Sequence, residues 1–209
     1  MVRVVDEAPL VRTLKGLREA ENACRRCPLY ANATQAVPGQ GPGRARVMLV
    51  GEQPGDKEDL TGKPFVGPAG KLLDRALADA GIPRGETFVT NAVKHFKFEP
   101  RGKRRLHKKP NAHEIERCKW WLDQERAMVQ PEVIVALGAT AARSLLGRVV
   151  TIGRLRAETL HLADGTRLVV TIHPSALLRT QDEADRRAAY AAFVKDLKVV
   201  ARIAFRKAA

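Results

Sequence analysis

The residues best suited to chemistry lie in one glycine- and proline-rich stretch, 51–70, which reads GEQPGDKEDLTGKPFVGPAG. This stretch holds four carboxylates in a very basic chain, and it lies between a short apolar run and a helical pattern. Connections from a strand to a helix usually take about 2–6 residues, so this one is long for a plain connection. Glycines let backbone approach a ligand closely, and Phe65 offers an aromatic face. We therefore predict a binding or catalytic site in this stretch.

Polar residues also follow three other apolar runs. Asn91 lies at the end of the second run, Gly138-Ala139-Thr140 follows the third, and His173-Pro174-Ser175 follows the fourth. In open α/β sheets, ligands bind beyond the carboxyl ends of the strands. We therefore expect these segments to converge with 51–70 on one pocket.

Cysteines form a second candidate site. Cys24 and Cys27 are separated by two residues, a spacing at which two thiolates can hold one metal centre, and Cys118 is the third cysteine of the chain. An odd number of cysteines suits a metal better than a disulfide framework in a reducing compartment. Spacing alone does not separate an iron–sulfur cluster from zinc, and two simply buried cysteines remain the structural alternative.

The elements that must position these residues alternate along the chain. Apolar, β-branched runs predict strands over 46–50, 88–93, 133–137 and 168–172. Helical periodicity predicts helices over 10–23, 71–80 and 183–205, and the Asp164-Gly165 turn indicates a small antiparallel hairpin that leads into the last strand. The pattern predicts one domain over 1–209, a three-layer α/β/α sandwich with a central, mainly parallel four-stranded sheet.

Charge indicates the partner. The chain of 209 residues has a net charge of +14 and a pI of about 10.3, the electrostatic footprint of a phosphate-rich partner. Nucleic acid is the first candidate, and an acidic membrane surface is the second. No apolar run approaches the ~20 residues that span a bilayer, and residues 1–10 carry acids where a signal peptide needs an apolar core. We expect a cytoplasmic monomer with no membrane association.

The most basic segment is 94–109, with eight Lys or Arg residues and one acid, Glu99. Pro100 and Gly102 rule out a simple helix, so we predict a mobile basic loop that is inserted in the domain over 94–110. Taken alone, such a segment is a solvated arm that contacts phosphate and has no chemistry. His107 within it would then be incidental.

Several motifs together resemble the uracil-DNA glycosylase superfamily: GEQPG with PFVGPAG, then TNAVK, then IHPSALL. The resemblance covers nearly the whole chain from Cys24 to the last helix. The C-x2-C pair and GKPFVGPAGKLLD are similar to the iron–sulfur branch, family 4. Two departures stand out, because His95 replaces that family's third cysteine and a basic insert, GKRRLHKKP, follows it. With Gln53, these features resemble the UdgX type, a group known to attach covalently to uracil-containing DNA through the histidine of that insert.

The resemblance implies a uracil-DNA glycosylase fold and excision of uracil from single-stranded DNA, and we expect excision from double-stranded DNA as well, with free uracil as the other product. It implies catalytic roles for His107, Glu52 and His173. Base-binding roles are assigned to Gly51, Gln53, Gly55, Asp56, Phe65 and Asn91. DNA-binding roles are assigned to Lys94, Arg104, Arg105, Lys108, Ser175 and Arg179. It implies a structural 4Fe-4S cluster on Cys24, Cys27, His95 and Cys118, with zinc as the alternative.

Elementary chemistry agrees with these roles. An amide such as Asn91 presents a donor and an acceptor to the N3 and O4 edge of uracil, and Phe65 suits stacking on an extruded base. Loss of uracil leaves negative charge largely on its O2, which His173 and a backbone N–H near Gln53 are expected to stabilise. Glu52 is expected to face the sugar cation, position a water or take a proton.

Three functions follow as alternatives. The first is a glycosylase that is trapped on the sugar by a bond from His107 to the deoxyribose C1′. The second is an ordinary multiple-turnover glycosylase that uses water. The third is a non-catalytic binder of uracil-containing DNA.

Overall fold

The computed structural model describes residues 11–156 and 158–205. Its strands are β1 (Val47–Gly51), β2 (Thr87–Asn91), β3 (Phe98–Arg101), β4 (Arg104–His107), β5 (Val133–Leu137), β6 (Thr159–His161) and β7 (Arg167–Thr171). Its helices are α1 (Leu14–Asn22), α2 (Asp56–Thr61), α3 (Pro68–Asp79), α4 (Ala112–Val129), α5 (Ala139–Leu146), α6 (Ile152–Leu155), α7 (Pro174–Arg179) and α8 (Glu183–Ala204). None of the described helices is long and apolar enough to cross a membrane.

The central sheet has five strands in the order β2-β1-β5-β7-β6. The first four are parallel, which confirms the predicted mainly parallel sheet. The predicted number of four strands is wrong, because the arm of the predicted hairpin joins the sheet as β6, antiparallel to β7. Each predicted parallel strand lies within two residues of the observed one.

Helices cover both faces of this sheet. Every residue of β1, β2 and β5 is buried, as continuous apolar strands between two helical layers must be. Neighbouring residues of one strand point to opposite faces, so Leu49 packs with the α3 and α8 side while Met48 packs with the α4 and α5 side. The result is the predicted three-layer arrangement.

The ends of the helices follow local side-chain chemistry. Thr13 caps α1, since its Oγ1 accepts a hydrogen bond from the Gly16 N–H at 3.1 Å, so the predicted helix over 10–23 begins later than expected. Residues 1–10, on which the signal-peptide prediction rests, lie outside the described residues. Gly138 precedes α5 with a φ of 93°, which lets the chain turn sharply from β5 into that helix.

Most of the predicted basic loop folds as a β-hairpin. Phe98–Arg101 and Arg104–His107 form an antiparallel hairpin in which Phe98 pairs with His107. Gly102 occupies its turn with a φ of 59°. The sequence correctly excluded a helix, but the high charge concealed the strands, whose stability comes from contacts with the rest of the chain. We call β3, β4 and their turn the basic hairpin.

Candidate active site

A cleft of about 620 Å³ opens at the carboxyl ends of the parallel strands. All four predicted strand-end segments contribute to it, so the predicted convergence is observed. The cleft is lined by nine residues for which a catalytic, base-binding or DNA-binding role was predicted: Glu52, Gln53, Gly55, Phe65, Asn91, His107, His173, Ser175 and Arg179.

Glu52 and His107 meet at the mouth of this cleft. The Nε2 atom of His107 lies 3.3 Å from Oε1 of Glu52, and the side chains are 50% and 23% exposed, respectively. The other carboxylate oxygen of Glu52 accepts a 2.5 Å hydrogen bond from the hydroxyl of Thr140. Burial raises the pKa of Glu52, but hydrogen bonds from His107 and Thr140 outweigh that effect and lower the pKa below its ordinary value.

His173 is held as a neutral imidazole. Burial lowers its pKa to about 4, against the favourable charge of Glu52. The Ser175 backbone N–H donates to Nδ1 of His173 at 3.1 Å, and the Ser175 hydroxyl lies 2.8 Å from the same nitrogen. Because Nδ1 accepts a hydrogen bond, the ring proton resides on Nε2, which is then the donor available to a ligand.

Phe65 and Asn91 line the cleft, and Gly51 packs against both of them. Phe65 stacks on His173 with ring centroids 5.9 Å apart. It adopts a φ of 56°, unusual for a residue with a side chain. A Cβ on Gly51 would lie 2.3 Å from Oδ1 of Asn91 and 2.7 Å from the Phe65 ring, so only glycine permits this packing. Gly51 therefore leaves the space that the Asn91 and Phe65 side chains occupy at the cleft.

Glu58 holds the segment that carries Phe65, a role the sequence analysis did not assign. Its buried carboxylate accepts hydrogen bonds from the Gly55 N–H at 3.1 Å and the Gly67 N–H at 2.7 Å. These glycines precede α2 and α3 respectively, so one side chain ties together the starts of both helices. The sequence signal was a carboxylate between two glycines, but its partners were not predictable from spacing.

Gln53 lines the cleft, yet its amide is occupied by the basic hairpin. Its Nε2 donates to the carbonyls of Lys97 and Lys108, both at 3.1 Å, and its Oε1 accepts from the Lys97 N–H at 3.1 Å. The predicted base-binding role therefore does not fit the Gln53 side chain. In this structure it fastens both ends of the hairpin to the strand-end segment.

Arg105 and Asp56 also belong to this attachment. Nε of Arg105 lies 2.6 Å from the Asp56 carboxylate, and Nη1 lies 2.6 Å from the fully buried Asp59. The guanidinium also lies over the rings of Phe96 and Phe98. Arg105 as a phosphate contact and Asp56 as a base contact stay predictions, and in this structure the two side chains pair with each other.

The side chain of Lys94 is buried in a salt bridge, contrary to its predicted contact with DNA. Its ammonium is 1% exposed and donates to Glu125 at 2.7 Å, to the Thr90 hydroxyl at 2.6 Å and to the Asn91 carbonyl at 3.0 Å. A phosphate cannot reach it, so the predicted DNA contact is wrong. Lys94 instead supports the backbone of Asn91 from below.

The other predicted phosphate contacts lie on the surface. Arg104 and Lys108 are exposed on the basic hairpin, and Lys108 is 3.3 Å from Glu99 in an exposed pair. Ser175 and Arg179 line the cleft on α7. These four positions are compatible with contact to a strand that enters the cleft.

The three cysteines are buried together in one apolar cluster that also contains Leu17, Ile115 and Trp121. The indole Nε1 of Trp121 donates to Sγ of Cys24 at 3.1 Å, and the backbone N–H of Lys94 donates to Sγ of Cys118 at 3.2 Å. Burial raises the pKa of the Cys118 thiol far above its ordinary value, with Lys94 opposing this. Donors aimed at sulfur suit thiolates that carry a bound cluster.

His95 is buried, and burial together with Arg25 lowers its pKa to about 4, so its imidazole is neutral and able to bind a metal. Within residues 11–156 and 158–205, no group of three or more His, Cys, Asp or Glu has the arrangement of a single-ion site. Three thiols and a neutral imidazole are donors that can hold either a four-iron cluster or a zinc ion.

Comparison with known proteins decides the family. A model of the uracil DNA glycosylase superfamily matches residues 38–198. The chain belongs to this superfamily. It is 40% identical over 177 residues to a type-4 uracil-DNA glycosylase of Pyrobaculum aerophilum, a match that covers 79% of this chain and 85% of that protein. A type-4 enzyme of Thermotoga maritima is 38% identical over 170 residues, 81% of this chain and 85% of the relative.

The similarity extends to a second type of uracil-DNA glycosylase and covers the part of the chain that forms the cleft. A type-5 uracil-DNA glycosylase of Pyrobaculum aerophilum is 30% identical over 183 residues, which cover 78% of this chain and 76% of that protein. The match to the superfamily model spans β1 to most of α8 and thus includes the residues of the cleft and the basic hairpin.

Proposed function

We propose that the protein excises uracil from DNA and then remains bound to the product through a covalent bond from His107 to the deoxyribose C1′. The observation that carries the second part is the pairing of His107 with Glu52 at the mouth of the cleft, 3.3 Å apart. The similarity to type-4 uracil-DNA glycosylases supports the first part.

The base is bound after extrusion from the strand. A stacked uracil hides its glycosidic carbon, so the nucleotide must turn into the cleft. Phe65 stacks on the base and the Asn91 amide pairs with its N3 and O4 edge. The rigid support of both residues favours this, since Glu58 fixes the Phe65 segment and Lys94 fixes the Asn91 carbonyl.

Bond cleavage places the electron pair of the glycosidic bond on uracil. Negative charge gathers on O2 of the leaving base, where the Nε2–H of the neutral His173 donates a hydrogen bond. The sugar becomes an oxocarbenium-like cation, which the ionised Glu52 stabilises. The lowered pKa of Glu52 supports this role, because the carboxylate is charged at neutral pH.

Capture of the sugar then uses His107. A ring nitrogen donates its lone pair to C1′, and the proton on the other ring nitrogen passes to Glu52. The product is a neutral N-glycosyl imidazole, whose leaving group is poor, so the protein acts once. Proximity favours imidazole over water because the basic hairpin holds it at the cleft.

A 4Fe-4S cluster on Cys24, Cys27, His95 and Cys118 completes the proposal. Its role is structural, because the reaction requires no electron transfer. These residues tie α1 to α4 and to the segment that follows β2. Type-4 relatives and the buried thiols with donors aimed at sulfur support it.

The experiment is denaturing electrophoresis after mixing the protein with uracil-containing single-stranded DNA, with mass spectrometry of the digested adduct. We expect a species that survives denaturation and carries the nucleotide mass on the peptide containing His107. His107→Ser should lose the adduct and release uracil through water. Free abasic DNA in excess of protein would instead support the multiple-turnover glycosylase that the type-4 relatives suggest, and absence of both products would support a non-catalytic binder.

A further inference from the structure

We propose that Thr140 is a positioning residue whose hydroxyl fixes the Glu52 carboxylate so that its other oxygen faces His107. The inference rests on the proposed function, since it concerns the group that receives the proton from His107. Neither the family motifs nor the spacing of residues assigned a role to Thr140.

The two oxygens of Glu52 are divided between two partners. Oε2 accepts the hydrogen bond from the Thr140 hydroxyl, and Oε1 lies 3.3 Å from Nε2 of His107. A carboxylate on a flexible side chain can otherwise rotate about its last bond. Occupation of one oxygen by a fixed donor leaves the second oxygen in a defined direction.

The scaffold behind Thr140 is rigid. Its side chain is 2% exposed and belongs to α5, which packs on β1, β5 and α4. Threonine populates two rotamers in a helix, so burial and the hydrogen bond to Glu52 are what fix the hydroxyl. His107, by contrast, is half exposed on the basic hairpin. If that hairpin shifts as DNA enters, Thr140 still holds Glu52 in place.

Electrostatics give Thr140 a measurable consequence. The ionisable groups that face Glu52 are His107 from β4 and His173 from the start of α7. A hydroxyl donor favours the charged carboxylate over the neutral acid. Burial raises the pKa of Glu52 and the Thr140 hydroxyl lowers it, so removal of the hydroxyl should raise this pKa.

The test compares the pH dependence of single-turnover uracil release in wild type, Thr140→Val and Thr140→Ser. Release requires an ionised Glu52 beside the sugar cation, so its rate falls on the acid side as Glu52 becomes protonated. Uracil release is measured rather than the adduct, because capture also requires a free lone pair on His107 and its acid side would report both groups. Thr140→Val keeps the shape of the side chain but lacks the donor. It should therefore move the pH midpoint of this fall in rate, the acid limb, to a higher pH by about one unit. Thr140→Ser restores the donor and should return the limb toward the wild-type position. The larger freedom of serine should leave a small loss of rate.

Ser144→Ala is the matched control. Ser144 is a buried residue of the same helix, and its hydroxyl has no hydrogen-bond partner among the described residues. Its removal should leave the acid limb unmoved. If Thr140→Val does not fold, Thr140→Ala gives the same comparison with a smaller side chain.

An unmoved acid limb in Thr140→Val, or a uniform loss of rate that Thr140→Ser does not restore, would overturn the proposal. The result is distinguishable from failure of the proposed function. If wild-type protein releases uracil without an adduct, covalent capture is wrong, but the acid limb of uracil release still tests Thr140, because Glu52 also faces the sugar cation.

Discussion

Arg105 is bound to the buried carboxylate of Asp59, with Nη1 of the guanidinium 2.6 Å from Oδ2. The same carboxylate accepts hydrogen bonds from the backbone and hydroxyl of Thr34. One acid in α2 therefore joins the basic hairpin to the segment that follows the cysteine pair. A residue that looked like a phosphate contact instead holds His107 at the cleft.

Release of this attachment should separate base excision from capture. Arg105→Gln removes the ion pair, so we expect adduct formation to fall by about tenfold relative to free abasic DNA. Uracil release should change less, since Asn91 and His173 come from other elements. Arg104→Gln is the control on the same strand, and at saturating DNA, where loss of one surface phosphate contact does not limit the reaction, it should keep the adduct yield. An unchanged yield in Arg105→Gln would contradict the assigned role.

Asn91 should determine base selection. Asn91→Ala leaves the N3 and O4 edge of a buried uracil without its partner, so we expect the single-turnover rate to fall by about 10- to 100-fold. Affinity for DNA should stay nearly unchanged, because phosphate contacts provide most of it. Asn32→Ala, an exposed position, serves as the control. Wild-type protein should ignore thymine, whose methyl group needs additional space, and cytosine, whose donor pattern is reversed.

Lys94 should affect stability rather than the salt dependence of DNA binding. Lys94→Met leaves Glu125 buried without its cation, so unfolding in denaturant should show a loss of about 3–5 kcal/mol. The slope of log affinity against log salt should match wild type. Lys103→Gln, at the exposed turn of the basic hairpin, should reduce that slope by up to about 1. A reduced salt slope in Lys94→Met would instead support the prediction that Lys94 contacts a DNA phosphate.

The cysteine cluster should hold iron. Freshly purified protein should be brown, absorb broadly near roughly 400 nm and contain iron and sulfide. Cys118→Ala should lower soluble yield more than it alters base selection, because Cys118 packs in the scaffold and does not line the cleft. A colourless protein with one zinc per chain would contradict the assignment.

Stability should depend on pH through His173. Its folded pKa is about 4, whereas histidine in an unfolded chain titrates near 6.5. The unfolded chain therefore binds more protons between these values, so stability falls as pH drops from about 6.5 to 4. Urea midpoints of wild type and His173→Asn measured across this window should show a smaller fall in the variant. Equal falls would show that His173 does not contribute.

The sequence by itself determined the sheet and the convergence of the strand ends. Continuous apolar runs such as Val133–Leu137 that alternate with helical patterns indicate strands buried between two helical layers, and parallel strands bring the residues that follow them to one edge. Glu52, Asn91 and His173 could therefore be assigned to one cleft. The family motifs added the roles of these residues.

Only the tertiary structure decided what the charged and amide side chains do. Lys94 pairs with Glu125, which is 31 positions away in the sequence, and Arg105 pairs with Asp59, at a separation of 46 positions. Gln53 binds the hairpin backbone rather than a base, and Thr140 reaches Glu52 across 88 positions. A long polar side chain has many partners of similar energy in solution, and burial selects one of them only when the folded chain removes water from the rest.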